Sequence, residues 1–166
     1  MLPHSTARLR FREMTLADLD IMSSMLGDPA VMTYYPAAKS REESEQWIAW
    51  NQANYARDGF GLWIVETLDG GFVGDCGLTW QNVNGRPELE VGYHVRLELQ
   101  GRGYATEAAL ACLEYARDVV GAALLVAIIH PDNAASLRVA ERLGMRHLED
   151  DLGGSMVRTV MGVELS

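Results

Sequence analysis

The segment Gln100-Gly101-Arg102-Gly103-Tyr104-Ala105 decides how the rest of the chain is interpreted. It stands between an apolar run, Leu89 to Val95, and a helical pattern that begins near Thr106. A glycine-rich turn in this position can present several backbone N–H groups to an anion, and the positive end of the helix dipole points at the same place. The segment therefore predicts a loop that binds phosphate or pyrophosphate.

Downstream of this loop the pattern is helix, strand, helix and two strands. Apolar residues recur at spacings of four, three and four, namely Ala109, Leu113, Ala116 and Val120. This stripe predicts a helix lying on a sheet. The continuous apolar run Leu124 to Ile129 predicts a strand buried on both faces. Asn133 can cap a helix that ends before Gly144, and strands are predicted at residues 146–149 and 156–165.

Upstream of the loop the pattern predicts antiparallel strands and two helices. The alternation in Arg8 to Arg12 predicts a short strand. Thr15 is predicted to cap a helix that runs to about Leu26, and the capping box at Ser40 predicts a second helix to about Arg57. Three strands, joined by turn residues, are predicted at 62–66, 72–78 and from Leu89. The turn residues are Asp69-Gly70-Gly71 and Asn84-Gly85-Arg86-Pro87.

Composition limits the class of protein. The 166 residues are 48% hydrophobic, which is typical of a soluble globular chain, and residues 1–166 are predicted to form a single domain without linkers or repeats. The net charge of −9 argues against nucleic acid as a partner, because that binding needs a basic surface. No apolar run reaches the length of a membrane span, and residues 1–12 lack the apolar core of a signal peptide. We therefore predict a cytoplasmic protein with no membrane partner.

Cysteine and histidine placement predicts no metal site. Cys76 and Cys112 form no C-x-x-C motif, so two buried free thiols are expected. The four histidines form no i, i+4 pair and no compact cluster.

Six short motifs occur in order along the chain. They are Thr6-Ala7-Arg8-Leu9-Arg10-Phe11-Arg12, Gly59-Phe60-Gly61, Gly74-Asp75-Cys76-Gly77-Leu78, Leu89-Glu90-Val91-Gly92-Tyr93, Ala105-Thr106-Glu107-Ala108 and Asn133-Ala134-Ala135-Ser136. With Gln100, Gly103 and Ala105 in the phosphate loop, they resemble the GNAT N-acetyltransferase superfamily and, within it, the RimJ/RimL-like branch of ribosomal-protein N-terminal acetyltransferases. The resemblance covers almost the whole chain.

The resemblance implies an α/β (α+β) protein with the GNAT fold. A mixed, mostly antiparallel central sheet of about six or seven strands would be flanked by about four helices. A V-shaped gap would separate the strand at Leu89 to Val95 from the strand at Leu124 to Ile129.

The same resemblance implies that acetyl-CoA is the cosubstrate and binds in that gap. Its pyrophosphate would lie on the N–H groups of residues 102–106, and its pantetheine arm would pair with the backbone of Val95 and Leu97. Asn133 and Ser136 could hold the pantetheine amide and the thiol end, although Asn133 can equally be an ordinary helix cap. The residues implied in binding acetyl-CoA are Val95, Leu97, Gln100, Gly101, Arg102, Gly103, Tyr104, Ala105, Thr106, Asn133 and Ser136.

The implied reaction is direct transfer of an acetyl group to a primary amine in a ternary complex. The acceptor would be a protein N-terminal α-amine or a small-molecule amine. Such a reaction needs a base, a donor for the oxyanion and a proton for the thiolate. Glu90 is the favoured base, His94 is the other candidate, and backbone N–H near Val95 is the expected oxyanion donor. Glu90 can also be a solvated strand carboxylate, and His94 a structural histidine.

The chain departs from the commonest family pattern at Ala140, where many members have a tyrosine that is taken to protonate the thiolate. Ser136 is the expected substitute, and protonation by solvent is the alternative. The missing tyrosine also leaves open a non-catalytic acyl-CoA-binding or sensor module. A nucleotide-binding enzyme is a further alternative, but Thr106 replaces the third glycine of the dinucleotide fingerprint. The sequence leaves a homodimer open as well.

Overall fold

A seven-stranded sheet runs through the molecule, which a computed structural model describes over residues 1–166. The strands are β1 (Leu9–Arg12), β2 (Leu62–Thr67), β3 (Phe72–Val83), β4 (Arg86–Val95), β5 (Leu124–Ile129), β6 (Arg146–Asp151) and β7 (Arg158–Glu164). They lie in the order β1-β2-β3-β4-β5-β7-β6. Every neighbouring pair is antiparallel except β4 and β5, which are parallel. The predicted mixed, mostly antiparallel sheet is confirmed.

Four helices cover the two faces of this sheet. They are α1 (Leu19–Leu26), α2 (Arg41–Asp58), α3 (Tyr104–Tyr115) and α4 (Ala134–Arg142). On one face, α1 and α2 bury Met22 and Ile48 against Ile64 of β2. On the other face, α3 and α4 bury small and branched side chains such as Ala109 and Val139 in the larger core cluster. No helix is long and apolar enough to cross a membrane.

The helix boundaries follow local signals, with two departures from prediction. Ser40 caps α2 through a capping box, and Gly59 ends that helix with a φ of 82°. The first predicted helix begins as a 3-10 turn after Thr15 and becomes α-helical only at Leu19. The helix α3 begins at Tyr104, ahead of the predicted Thr106, and its last predicted residues form a wider π turn (Ala116–Val120).

The hairpin of β3 and β4 is longer than predicted, because both strands extend closer to the turn. The strand β3 continues past Leu78 to Val83, and β4 begins at Arg86. Asn84 and Gly85 have φ values of 48° and 86°, which is the two-residue turn that suits the twist of a hairpin. The apolar pattern of β3 stops before its end, because this part of the hairpin carries polar and exposed side chains.

The strands β4 and β5 separate soon after they meet. Their backbone register contains one pair, Glu90 with Val126. Beyond that pair the two strands diverge toward the carboxyl end of β4, which produces the predicted V-shaped gap. In the core beside this gap, Cys76 and Cys112 are buried and free, as predicted, with their sulfur atoms 3.7 Å apart.

Candidate active site

A cavity of about 410 Å³ opens at the gap between β4 and β5. It is lined by the end of β4, the glycine loop, the first turn of α4 and the loop between α1 and α2. Nine of the eleven residues expected to bind acetyl-CoA line it together: Val95, Gln100, Gly101, Gly103, Tyr104, Ala105, Thr106, Asn133 and Ser136. The other two, Leu97 and Arg102, are not among its lining residues; Leu97 lines a smaller cavity beside α1.

The glycine loop has the conformation that an anion-binding loop requires. Gly101 and Gly103 have φ values of 79° and 82°, a region that side chains other than glycine rarely adopt. Gly103 is also the N-cap of α3, and the first helical bond runs from the Glu107 N–H to the Gly103 carbonyl at 3.1 Å. The N–H groups of residues 102–106 therefore have no intrahelical acceptor and are free to bind an anion.

The N-terminal segment braces this loop. The Arg8 guanidinium pairs with Glu107 at 2.7 Å and donates to the Arg102 carbonyl at 3.0 Å. It also lies 4.4 Å from the centre of the Tyr104 ring. The contacts hold the entrance of α3 in place, and sequence reasoning did not find them because the partners are about a hundred residues apart.

The edge of β4 that faces the gap carries a free backbone donor. The Arg96 N–H donates to the Val73 carbonyl of β3 at 2.9 Å, so the N–H of the preceding residue, Val95, points away from β3 and toward the gap. The Val95 carbonyl accepts a hydrogen bond from the Gln100 side chain at 2.9 Å. The backbone N–H of Val95 thus faces the gap, and its role as oxyanion donor stays a prediction.

The first turn of α4 forms the opposite wall. Asn133 caps the helix, because its Oδ1 accepts the Ser136 N–H at 3.1 Å. The Tyr93 hydroxyl reaches across from β4 and donates to the Ser136 carbonyl at 3.3 Å. Burial raises the pKa of Tyr93 to about 12, so its phenol stays protonated near neutral pH. Ala140 is buried in the core and supplies no hydroxyl to this wall.

Glu90 bridges the point where the two strands separate. Its Oε2 accepts the N–H of Ile128 in β5 at 3.1 Å. Burial raises the pKa of Glu90 to about 7, and the Ile128 N–H, Arg158 and His94 oppose that rise. The residue is therefore a partly buried carboxylate that can change protonation state near neutral pH, rather than a fully solvated one.

His94 is held by a buried carboxylate that sequence reasoning missed, Asp75 of β3. The Nδ1 atom and the backbone N–H of His94 lie 2.8 Å and 3.0 Å from Asp75 Oδ1. Asp75 Oδ2 accepts the indole N–H of Trp47 in α2 at 3.2 Å. The signal was present in the sequence, because a two-residue turn at Asn84-Gly85 fixes a register in which Asp75 faces His94.

The structure contains no group of three or more His, Cys, Asp or Glu side chains arranged to hold a metal ion.

Comparison with known proteins supports one family. The profile described as the acetyltransferase (GNAT) domain matches residues 8–146. YkkB of Bacillus subtilis (strain 168), an uncharacterized protein, is 40% identical over 144 residues, which cover 86% of this chain and 84% of YkkB. The crystal structure of an acetyltransferase from Agrobacterium tumefaciens str. C58 superposes with a TM-score of 0.83 at 25% identity, covering 96% of this chain and 92% of the other.

A third comparison adds a structure with a bound ligand. RimL, a ribosomal L7/L12 alpha-N-protein acetyltransferase in complex with coenzyme A, superposes with a TM-score of 0.78 at 17% identity, covering 99% of this chain and 98% of RimL. At that identity the likeness shows a shared fold.

Proposed function

The chain belongs to the GNAT acetyltransferase family of acetyl-CoA-dependent acyltransferases, and we propose that it transfers the acetyl group to a primary amine. The acceptor is a protein N-terminal α-amine or a small-molecule amine. The observation that carries the proposal is the partly buried Glu90 carboxylate, which accepts the Ile128 N–H where β4 and β5 separate. Glu90 is not itself among the residues that line the cavity, whereas His94, on the same face of β4, is. An amine needs such a base, because it enters as an ammonium ion without a free electron pair.

We assign the donor side of the site to the residues that line the gap. The N–H groups of residues 102–106 would hold the pyrophosphate, and the backbone of Val95 and Leu97 would pair with the pantetheine arm. Three observations fit acetyl-CoA: the left-handed glycines, the unused N–H groups and the diverging strands. Acetyl-CoA supplies an acetyl group activated as a thioester.

We assign three roles in the transfer to residues of this chain. Glu90 takes a proton from the ammonium, so that the nitrogen gains a free electron pair. The Val95 N–H donates to the oxygen on which negative charge develops. The C–N bond forms as the C–S bond breaks, and the second proton of the attacking nitrogen passes to the sulfur that leaves. The Ser136 hydroxyl has no hydrogen-bond partner within the chain and donates a hydrogen bond to that sulfur, the role that the missing tyrosine at Ala140 leaves vacant.

The branch is part of the proposal. The six motifs in register support a RimJ/RimL-like enzyme, and the fold shared with RimL is consistent with it. The comparisons give no support to a non-catalytic sensor module. Only the alanine at position 140, in place of the usual tyrosine, suggests one. A cytoplasmic location and a homodimer stay predictions from the sequence, as do the absence of nucleic-acid and membrane partners.

We expect micromolar binding of acetyl-CoA, measured by calorimetry, and no comparable binding of ATP or NADH. The reason is that the glycine loop lies beside a gap that can pair with an extended pantetheine arm, which ATP and NADH lack. An amine screen by thiol release then identifies the acceptor. Tighter binding of either nucleotide, or binding of none of the three, would contradict the donor site.

The pH dependence of the reaction is expected to follow Glu90. Because its pKa is raised to about 7, the carboxyl is protonated below that pH and cannot accept a proton, whereas above it the carboxylate is ready. The value of kcat/KM should therefore rise with pH through about 7. Carboxyl ¹³C shifts of glutamate-labelled protein should show one group titrating there, and the signal should vanish in Glu90→Gln. If every carboxyl titrates below pH 5.5, this explanation is wrong.

A further inference from the structure

The imidazole of His94 is buried, with one ring nitrogen hydrogen-bonded to Asp75 and the other without a partner. We propose that His94 binds the acceptor amine through its Nε2 atom and that Asp75 is the positioning residue that holds the imidazole in the required tautomer. The inference rests on the proposed function, because it concerns the acceptor side of the same site.

The hydrogen bonds at Asp75 determine which nitrogen of His94 carries the proton. Asp75 is 1% exposed, and two of its three partners, the His94 backbone N–H and the Trp47 indole N–H, can only donate. A carboxyl oxygen that receives an N–H acts as an acceptor. The third partner, His94 Nδ1, lies 2.8 Å away and must therefore also donate. In the neutral imidazole this leaves Nε2 as a bare acceptor.

The Nε2 atom has no partner within the chain. His94 is 7% exposed, and Nε2 is one of four buried side-chain polar atoms without a hydrogen bond. A buried acceptor without a donor destabilises the free protein, and a ligand that supplies an N–H removes this cost. An ammonium group offers only donors. The unpartnered Nε2 atom of His94 therefore suits an ammonium group, the form in which the amine substrate enters.

His94 lies on the side of the sheet where Glu90 is found. Residues 90, 92 and 94 of β4 share one face, and the residue between the two side chains is Gly92, which places no side chain between them. A Cβ atom at Gly92 would lie 3.8 Å from Glu90 Oε1, so the carboxyl group leans over that glycine toward His94. His94 is one of the residues that line the cavity.

Two aromatic rings complete this part of the wall. Tyr35, from the loop between α1 and α2, lies with its ring centre 5.3 Å from the His94 ring, and Trp47 packs edge-on at 5.9 Å. Aromatic faces attract cations and exclude water. An ammonium held by Nε2 would thus lie between a hydrogen-bond acceptor, aromatic surface and the Glu90 carboxylate.

The first test determines the tautomer of His94 and requires no amine substrate. In protein labelled with ¹⁵N-histidine, the ring shifts of His94, assigned with His94→Gln, should show protonated Nδ1 and bare Nε2. Asp75→Asn should abolish this preference, because an asparagine side chain can donate to Nδ1. Trp47→Phe is the matched control: it removes one donor from Asp75 but keeps an aromatic ring beside His94, and the tautomer should be unchanged. Wild-type His94 protonated at Nε2 alone would overturn the inference.

The second test uses the amine found by the thiol-release screen. His94→Gln and Asp75→Asn should each lower kcat/KM for that amine about a hundredfold, because the acceptor is misplaced. The Kd for acetyl-CoA should not change. The double variant should be no worse than His94→Gln, because Asp75 acts only through His94. Asp18→Asn, which also removes a buried carboxylate but lies outside the cavity, should lower the Tm and leave kcat/KM unchanged.

The outcomes separate the inference from the proposed function. The losses of kcat/KM in the two single variants could multiply in the double variant, or acetyl-CoA affinity could fall as much as kcat/KM. Either result would make Asp75 a structural carboxylate and overturn the inference, while the proposed function would stand. If the wild-type protein binds acetyl-CoA but acetylates no amine, the proposed function fails, and the acceptor role of His94 fails with it, whatever the tautomer.

Discussion

Glu90→Gln is expected to lower kcat/KM for the amine by about 100- to 10,000-fold, the usual contribution of a general base. The substitution keeps the size of the side chain, and an amide oxygen can still accept the Ile128 N–H that joins the two strands. The gap between β4 and β5 should therefore keep its shape. What is lost is the ability to take a proton, so the defect should appear in the reaction with the amine while the Kd for acetyl-CoA stays within about twofold.

The matched control is Glu88→Gln. Glu88 lies on the same strand face as Glu90, but its carboxylate is paired with Arg86 at 3.6 Å and not with the backbone of β5. The same change of charge there should alter kcat/KM less than threefold. Equal losses in the two variants would point to a general effect of negative charge near the site. Unchanged turnover in Glu90→Gln would remove Glu90 from the mechanism and leave it only the contact with Ile128.

The order of strands and helices could be predicted because each boundary is encoded locally. Ser40 and Glu43 form the capping box of α2 with hydrogen bonds between neighbouring residues, so the sequence alone contains both partners. The turn at Asn84-Gly85 is equally local. The far end of β3 was missed because exposed polar residues there pair only through the backbone, and backbone pairing leaves no apolar pattern.

The site was less accessible to prediction, for a physical reason. Alternation along β4 put Glu90, Gly92 and His94 on one face, and the structure has the same arrangement. The raised pKa of Glu90 and its bond to Ile128 depend on how two strands, distant in sequence, separate. Asp75 was predictable only in part. Its register with His94 follows from the turn at Asn84-Gly85, which the sequence shows, but its burial follows from the packing of α2.

Glycines shape the floor under this site, and Gly77 is one of those that face backbone rather than space. Gly77 of β3 pairs with Leu62 in β2 and with Gly92 in β4. A Cβ atom at Gly77 would lie 2.0 Å from the Gly61 carbonyl oxygen and 2.6 Å from the Leu62 Cα. A side chain can rotate away from a steric clash. The backbone of a strand can move away only if its hydrogen bonds to the neighbouring strand break. At Gly92 the nearest atom is the Leu62 Cδ2 at 3.6 Å, an ordinary contact.

Gly77→Ala is therefore expected to destabilise the protein by about 3 kcal/mol or more, which for a chain of this size lowers the Tm by roughly 6–12 °C. Gly92→Ala, one strand away in the same register, is the control and should cost less than about 1 kcal/mol. Thermal unfolding followed by circular dichroism measures both. Because β2 must move away from β3 to admit the methyl group, Asp75, two residues along β3, should lose its fixed distance to Trp47 as well. A Gly77→Ala variant as stable as the wild type would mean that β2 does not approach β3 this closely.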